Sequence, residues 1–185
     1  DTTFNEYSRL FEGNQNRITA TGLYGSNDTR SDEAVLSGIH NKFAYSLGQM
    51  HYQTDGFRPN ADLTHNLYNA FVQYEFSPKF SLQTEYRHRE TTNGDIRMQG
   101  SKSNFNDSFR RNLQQDTYQL GAKYSPAKHS DLLVSFNYAN RTGDTRFSIP
   151  DFPVELPFKS GDNSKQDGFQ FESQYLYHRE NFNLS

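Results

Sequence analysis

Along most of this chain every second residue is apolar or aromatic and the residue between is polar. From Phe71 to Glu90, Val72, Tyr74 and Phe76 share one parity before Ser77-Pro78-Lys79, and Phe80, Leu82, Thr84 and Tyr86 share one after it. Between them stand Gln73, Glu75, Ser81, Gln83, Glu85, Arg87 and Arg89. A period of two is the mark of a strand with two unlike faces, and helical periodicity is almost absent. The alternation predicts strands over 4–11, 17–26, 33–40, 43–54, 65–76, 80–90, 117–125, 131–141 and 168–178, with a tenth starting at 182. Tyr52 breaks the parity of its run, so strand 43–54 is expected to bulge or to be misassigned.

The connections alternate in length. Glu12 to Asn16, Asn41 to Lys42, Ser77 to Lys79, Pro126 to Ser130 and Arg179 to Asn181 are short. Asn27 to Asp32, Asp55 to Thr64, Thr91 to Asp116 and Thr142 to Asp167 are long. In an up-and-down meander, alternate connections fall at opposite ends of the sheet. All short turns therefore share one end and all long loops the other, the asymmetry of outer-membrane barrels. Strands of this length fit as well, since roughly 9–11 tilted residues cross a bilayer.

Composition removes the ordinary alternatives. Only 32% of the residues are hydrophobic, while 15% are aromatic, as 16 Phe and 12 Tyr with no Trp. A two-layer soluble core needs more aliphatic side chains, and disordered chains lack both aromatics and strand periodicity. A net charge of −3 gives no bulk attraction to nucleic acid. The absence of cysteine removes disulfides and thiolate chemistry. No run approaches the length of a membrane helix.

The apolar face carries aromatics near both ends. Phe11, Phe43, Phe76, Phe80, Tyr124, Tyr177 and Phe182 lie near the short turns. Tyr24, Tyr68, Tyr86, Tyr118, Tyr138 and Phe169 lie near the long loops. Two such belts match the girdles at the two membrane–water interfaces. Small or aliphatic residues such as Ala70, Val72, Leu82, Leu120 and Val134 fill the space between. The other parity is then a polar lumen, with Gln73, Glu75, Gln83, Glu85, Arg87, Arg89, Gln119, Lys123, Asn137, Gln170, Glu172 and Gln174 as lumen or ligand candidates. The fold expected is all-β: an antiparallel up-and-down transmembrane β-barrel, of which residues 1–185 are one outer-membrane segment of about nine to ten strands. The unfinished final strand and the charges at Glu75, Glu85, Arg87, Lys123 and Glu172 suit a piece of a larger, wider barrel.

No motif points to covalent chemistry. The six histidines, His40, His51, His65, His88, His129 and His178, show no metal-ligand spacing. Glu75 and Glu85 read as a solvated ladder countered by Arg87, Arg89 and Lys123, with a glycosidase-like carboxylate pair as the rival reading. Arg87, His88, Arg89, Arg110 and Arg111 cluster near the third long loop, either as solvated charge or as an anion or lipopolysaccharide-phosphate site. The loop FSIPDFPVELPF, 147–158, places Ile149, Phe152, Val154, Leu156 and Phe158 among three prolines. A loop that apolar is expected to pack against something, and these five are contact candidates. Asn27-Asp28-Thr29 and Asn140-Arg141-Thr142 fit a glycosylation pattern but read as turn chemistry.

Three runs carry a family likeness: SDEAVLSGIHNKFAYSLGQMHYQTDGF, HNLYNAFVQYEFSPKFSLQTEYRHRETTNGD and DTYQLGAKYSPAKHSDLLVSFNYANRTGD. They resemble the barrel domain of TonB-dependent-receptor-like outer-membrane proteins, including large proteobacterial barrels attached to tetratricopeptide repeats. The Phe-Ser-Pro-Lys-Phe phrase at 76–80 and the Tyr-Ser-Pro phrase at 124–126 carry much of the likeness. The resemblance implies a receptor or transport pore for solutes in a Gram-negative outer membrane. It also implies contact with the lipid bilayer and lipopolysaccharide, with TonB or an attached periplasmic domain as a further partner. No segment here matches the family's plug or TonB-contacting region. No cofactor, enzymatic activity or nucleic-acid partner is expected. Two alternatives remain beside the receptor: a structural or polymer-export barrel serving a periplasmic domain, and a soluble β-barrel binding module.

Overall fold

The computed structural model describes residues 14–97, 103–148, 159–179 and 182–184. They form one antiparallel sheet whose strands lie side by side in chain order. The strands are β1 (Gln15–Tyr24), β2 (Arg30–His40), β3 (Phe43–Thr54), β4 (Leu63–Ser77), β5 (Phe80–Asn93), β6 (Arg110–Ala127), β7 (Ser130–Ser148), β8 (Lys159–Arg179) and the short β9 (Phe182–Leu184). Every neighbouring pair is antiparallel. The meander is not closed, because β1 pairs with β2 alone. The expected strand 4–11 lies outside the described residues.

The turns at one end are as short as hairpins allow. Asn41-Lys42, Pro78-Lys79 and Lys128-His129 each leave two residues between strands. Asn41 has φ of 55°, in the left-handed region that Asn tolerates better than most residues. Its N–H also donates to Asn14 Oδ1 at 2.5 Å. Each of the two Ser-Pro hairpins has a register shift beside it, between Glu75 and Ser77 and between Tyr124 and Ala127. Neighbouring hairpins are tied together: Glu75 N–H donates to the Lys42 carbonyl at 2.8 Å and Ser125 N–H to the Lys79 carbonyl at 2.7 Å.

The other end differs from expectation in where strand gives way to loop. β5 reaches Asn93 and β6 begins at Arg110, so much of the expected 91–116 loop is paired strand. β7 and β8 stay paired up to Ser148 and Lys159, so the expected 142–167 loop is largely a hairpin arm. Strand 43–54 runs as predicted, Phe43–Thr54, and needs no bulge. Tyr52 simply lies on the polar face, paired with Ser31 and His65.

Burial is inverted relative to a soluble protein. Among the described residues the buried hydrophobics are only Ile39, Ala44, Ala61 and Leu133. On the polar face Gln73 and Gln83, direct cross-strand partners, are 8% and 4% exposed. On the apolar face Leu47, Leu120 and Phe136 are 48%, 47% and 42% exposed, although all three sit on interior strands and owe nothing to a sheet edge. One face crowds and the other splays, as they do in a sheet that curls towards its polar side.

Asn41 supplies a test of the hairpin geometry. Asn41→Val should destabilise by about 1–2 kcal/mol, because a β-branched residue resists positive φ. Asn41→Gly should stay within about 0.5 kcal/mol of the parent. Equilibrium unfolding in urea reads both.

Candidate functional site

Pairing registers place all twelve sequence-nominated lumen residues on one face. Gln73 meets Gln83, which meets Gly121. Glu85, Gln119, Asn137 and Gln170 form a continuous row across four strands. Glu75, Lys123 and Gln174 lie in the row two positions nearer the short turns than Gln83, and Glu172 in the Gln83 row itself. Arg87 and Arg89 continue the face toward the long loops. Glu85 accepts from Arg87 Nη2 at 2.6 Å, as the ladder reading expects. Lys123 instead pairs with Asp131, at 3.7 Å.

The nominated aromatics take the opposite face. Tyr86, Tyr118, Tyr138 and Phe169 form one cross-strand row on β5 to β8. Ring centroids are 5.0 Å apart for Tyr86–Tyr118 and 6.2 Å for Tyr118–Tyr138. Nearer the short turns, Phe76 packs on Tyr74 and Phe80 at 4.8 and 5.5 Å, and Phe80 pairs with Tyr124. Phe43 pairs with Tyr74, and Tyr24, Tyr68 and Tyr177 keep the same parity.

Immediately beyond the upper belt this face turns polar. His88 Nδ1 lies 2.8 Å from Asp116 Oδ1, and Asn140 Nδ2 donates to Asp167 at 2.7 Å. Gln49 donates to Asp32 at 2.6 Å, and His51 bonds Asn66 at 2.6 Å. The belt tyrosines aim their hydroxyls at this polar row. Tyr86 Oη donates to Asp116 at 2.7 Å and Tyr138 Oη to Asp167 at 3.4 Å. An aromatic with a dry body and a wet tip is suited to a boundary between apolar and aqueous surroundings.

The belts run obliquely to the rows of paired residues. On β4 the lower belt holds two aromatics, Tyr74 and Phe76; the row of Phe43 and Tyr74 continues to Leu82, two positions from Phe80 on β5. Likewise Tyr68 pairs with His88, whereas the belt residue of β5 is Tyr86, two positions on in the same direction. From Tyr24 to Phe169 the upper belt shifts by six residues over seven strand-to-strand steps, all of it between β1 and β5, on average about 2.9 Å along against about 4.8 Å across. The strands are thus tilted by roughly 30–35° from the normal to the belts.

The basic cluster 87–111 divides between the two faces. His88 and Arg110 lie on the belt face, Arg110 bonded to Asp62 at 2.5 Å. Arg87, Arg89 and Arg111 lie on the polar face, where Arg141 joins them. The five loop candidates Ile149, Phe152, Val154, Leu156 and Phe158 lie outside the described residues. Among the described residues no three metal-ligating side chains converge.

Arg58 is a residue that sequence reading missed. Its side chain is 2% exposed, 3.5 Å from Asp95 Oδ2. It donates to the carbonyls of Asn104 at 2.8 Å and Asp95 at 2.9 Å, and to that of Arg97. The Phe57 and Phe105 rings lie 5.2 and 5.7 Å from its guanidinium carbon. Asn60 adds bonds to the carbonyls of Asn106 and Phe109 at 2.6 and 3.1 Å. The β3–β4 and β5–β6 loops are therefore clamped into one unit at the long-loop end. Compared with known proteins, the chain matches no protein-family model and no curated sequence.

Removing the clamp should act locally. In Arg58→Ala, amide exchange at 94–97 and 104–106 should accelerate by about tenfold or more, because several carbonyls lose a charged donor. Exchange in the β4–β5 pairing near Gln73 and Gln83 should stay unchanged. Arg58→Lys should restore little, since an ammonium lacks the planar fork that reaches several acceptors.

Proposed function

We propose that this chain is a segment of a transmembrane β-barrel in a Gram-negative outer membrane, serving as a receptor or transport pore for solutes. The observation that carries the reading is the burial pattern: Gln73 and Gln83 are buried on the same face as Ile39, Ala44 and Leu133, while the large side chains of the other face, Leu47, Leu120 and Phe136 among them, stay exposed on interior strands. In water such a surface is unfavourable over its whole extent, at about 25 cal/mol per Å² of apolar area. Against hydrocarbon it costs nothing, and the polar face then lines an aqueous interior.

The dimensions support this. On β4 the outward positions from Tyr68 to Phe76 are Tyr, Ala, Val, Tyr and Phe. Eight residues at about 3.4 Å, inclined by roughly 30–35°, give a band about 22 Å tall, close to the ~25 Å of outer-membrane barrels. The inclination itself is near the 35–45° of such strands. Two-residue turns below and a clamped loop assembly above reproduce the asymmetry of periplasmic turns and extracellular loops. Further strands close the barrel between the free edges of β1 and β8, because unpaired backbone groups are not tolerated in lipid. Selection of solutes then falls to the loop assembly and to the polar inner face.

Arginine substitution separates the two faces. Leu120→Arg and Phe136→Arg should each cost about 2–4 kcal/mol of stability in lipid. Gln119→Arg and Asn137→Arg, one residue away on the inner face, should cost less than about 1 kcal/mol. Urea unfolding of the full-length protein in lipid vesicles measures the difference. Equal costs on both faces would rule out the proposed sidedness.

A further inference from the structure

We infer that the inner face carries a binding site for a dissolved anion of the phosphate or carboxylate class, built on Arg89 and Arg141 with Gln115 between them. This rests on the inner face being the aqueous one. Arg89 pairs with Gln115, and Gln115 with Arg141, so the three lie in one row on β5, β6 and β7. Two strand spacings put the arginine backbones about 10 Å apart. Both side chains are exposed, and neither has a hydrogen-bond or ion-pair partner among the described residues.

The surroundings explain why these charges stay uncompensated. Leu67 and Gln166 complete the row on either side. The next row toward the loops is His65, Thr91, Leu113, Gly143 and Ser164. The next row toward the turns is Asn69, Arg87, Thr117, Ala139 and Gly168. No carboxylate stands in any of these three rows from β4 to β8. The nearest on this face are Glu85, one row further toward the turns and held by Arg87, and Asp162 on β8, one row further toward the loops. Space is also provided around Arg141. The small Ala139 flanks it along β7, and a Cβ added at Gly168 would meet nothing within 4 Å, whereas the position at Gly143 is filled by Ser164 Oγ at 3.0 Å.

Guanidinium groups bind phosphate and carboxylate through paired N–H donors, and rings of arginine select anions in pores. Two such forks with an amide between them can converge on one anion. The arrangement requires no cation and no covalent step. Arg110 is the internal control, since it lies on the opposite face and is already paired with Asp62.

Titration of the full-length protein in detergent with inorganic phosphate, and separately with citrate, tests the site calorimetrically. Arg89→Gln and Arg141→Gln should each weaken binding roughly tenfold, and the double substitution should abolish it. Arg110→Gln should bind as the parent does, and glucose should not bind at all. A folded protein that fails to bind either anion, or a double variant that binds them unchanged, overturns the site while leaving the membrane reading intact. Lipopolysaccharide displacing dissolved phosphate from the parent would overturn the assignment to a solute. Conversely, a protein that stays monodisperse without detergent defeats the membrane reading, and the same phosphate titration in plain buffer still decides the site.

Discussion

The cross-strand hydrogen-bond ladder is the constraint on which everything else depends. Once Val72 faces Thr84 and Thr84 faces Leu120, every side chain on three strands is assigned to a face. A slip of one residue would exchange the faces throughout. The short hairpins hold that register, and the bonds from Glu75 to Lys42 and from Ser125 to Lys79 lock one hairpin to the next. The sheet has no second layer among the described residues. Its stability in isolation cannot come from a hydrophobic core of four residues. Among the described residues it rests on the backbone ladder.

Alternation made the faces legible in the sequence, and it was most reliable where the two faces differ most. Between the belts the pattern identified β3 to its ends and placed the polar and the apolar residues on opposite faces of the sheet. Above the belts the signal fades because both faces are polar. Asn112 and Gln114 on one side of β6, Arg111 and Gln115 on the other, offer no contrast. The strands therefore looked shorter than they are. Tyr52 misled for a related reason: an aromatic on the polar face resembles a break in register, although the ladder runs on through it.

Arg58 was illegible on different grounds. Its acceptors are backbone carbonyls 37 to 46 residues away, which leave no trace in composition or spacing. The one hint was an arginine beside Phe57 in a turn-rich loop. The division of the 87–111 basic cluster was legible in principle from strand parity. Arg141 was not, because its link to Arg89 runs through the register of two separate strand pairs. Proximity in sequence grouped side chains that the sheet divides between its two faces.

None of the 185 residues is cysteine, so a thiol label placed in this sheet has no competitor within it and reads the sidedness one residue at a time. Single cysteines placed from Thr117 to Tyr124 of the full-length protein, spin-labelled in lipid vesicles, report access to oxygen and to a water-soluble nickel chelate. Labels at 118, 120, 122 and 124 should favour oxygen, with the strongest preference at 120 and 122, and labels at 117, 119, 121 and 123 should favour the chelate. Labels at 120 and 122 shielded from both reagents would mean a packed protein interior behind the aromatic face, and would contradict the account.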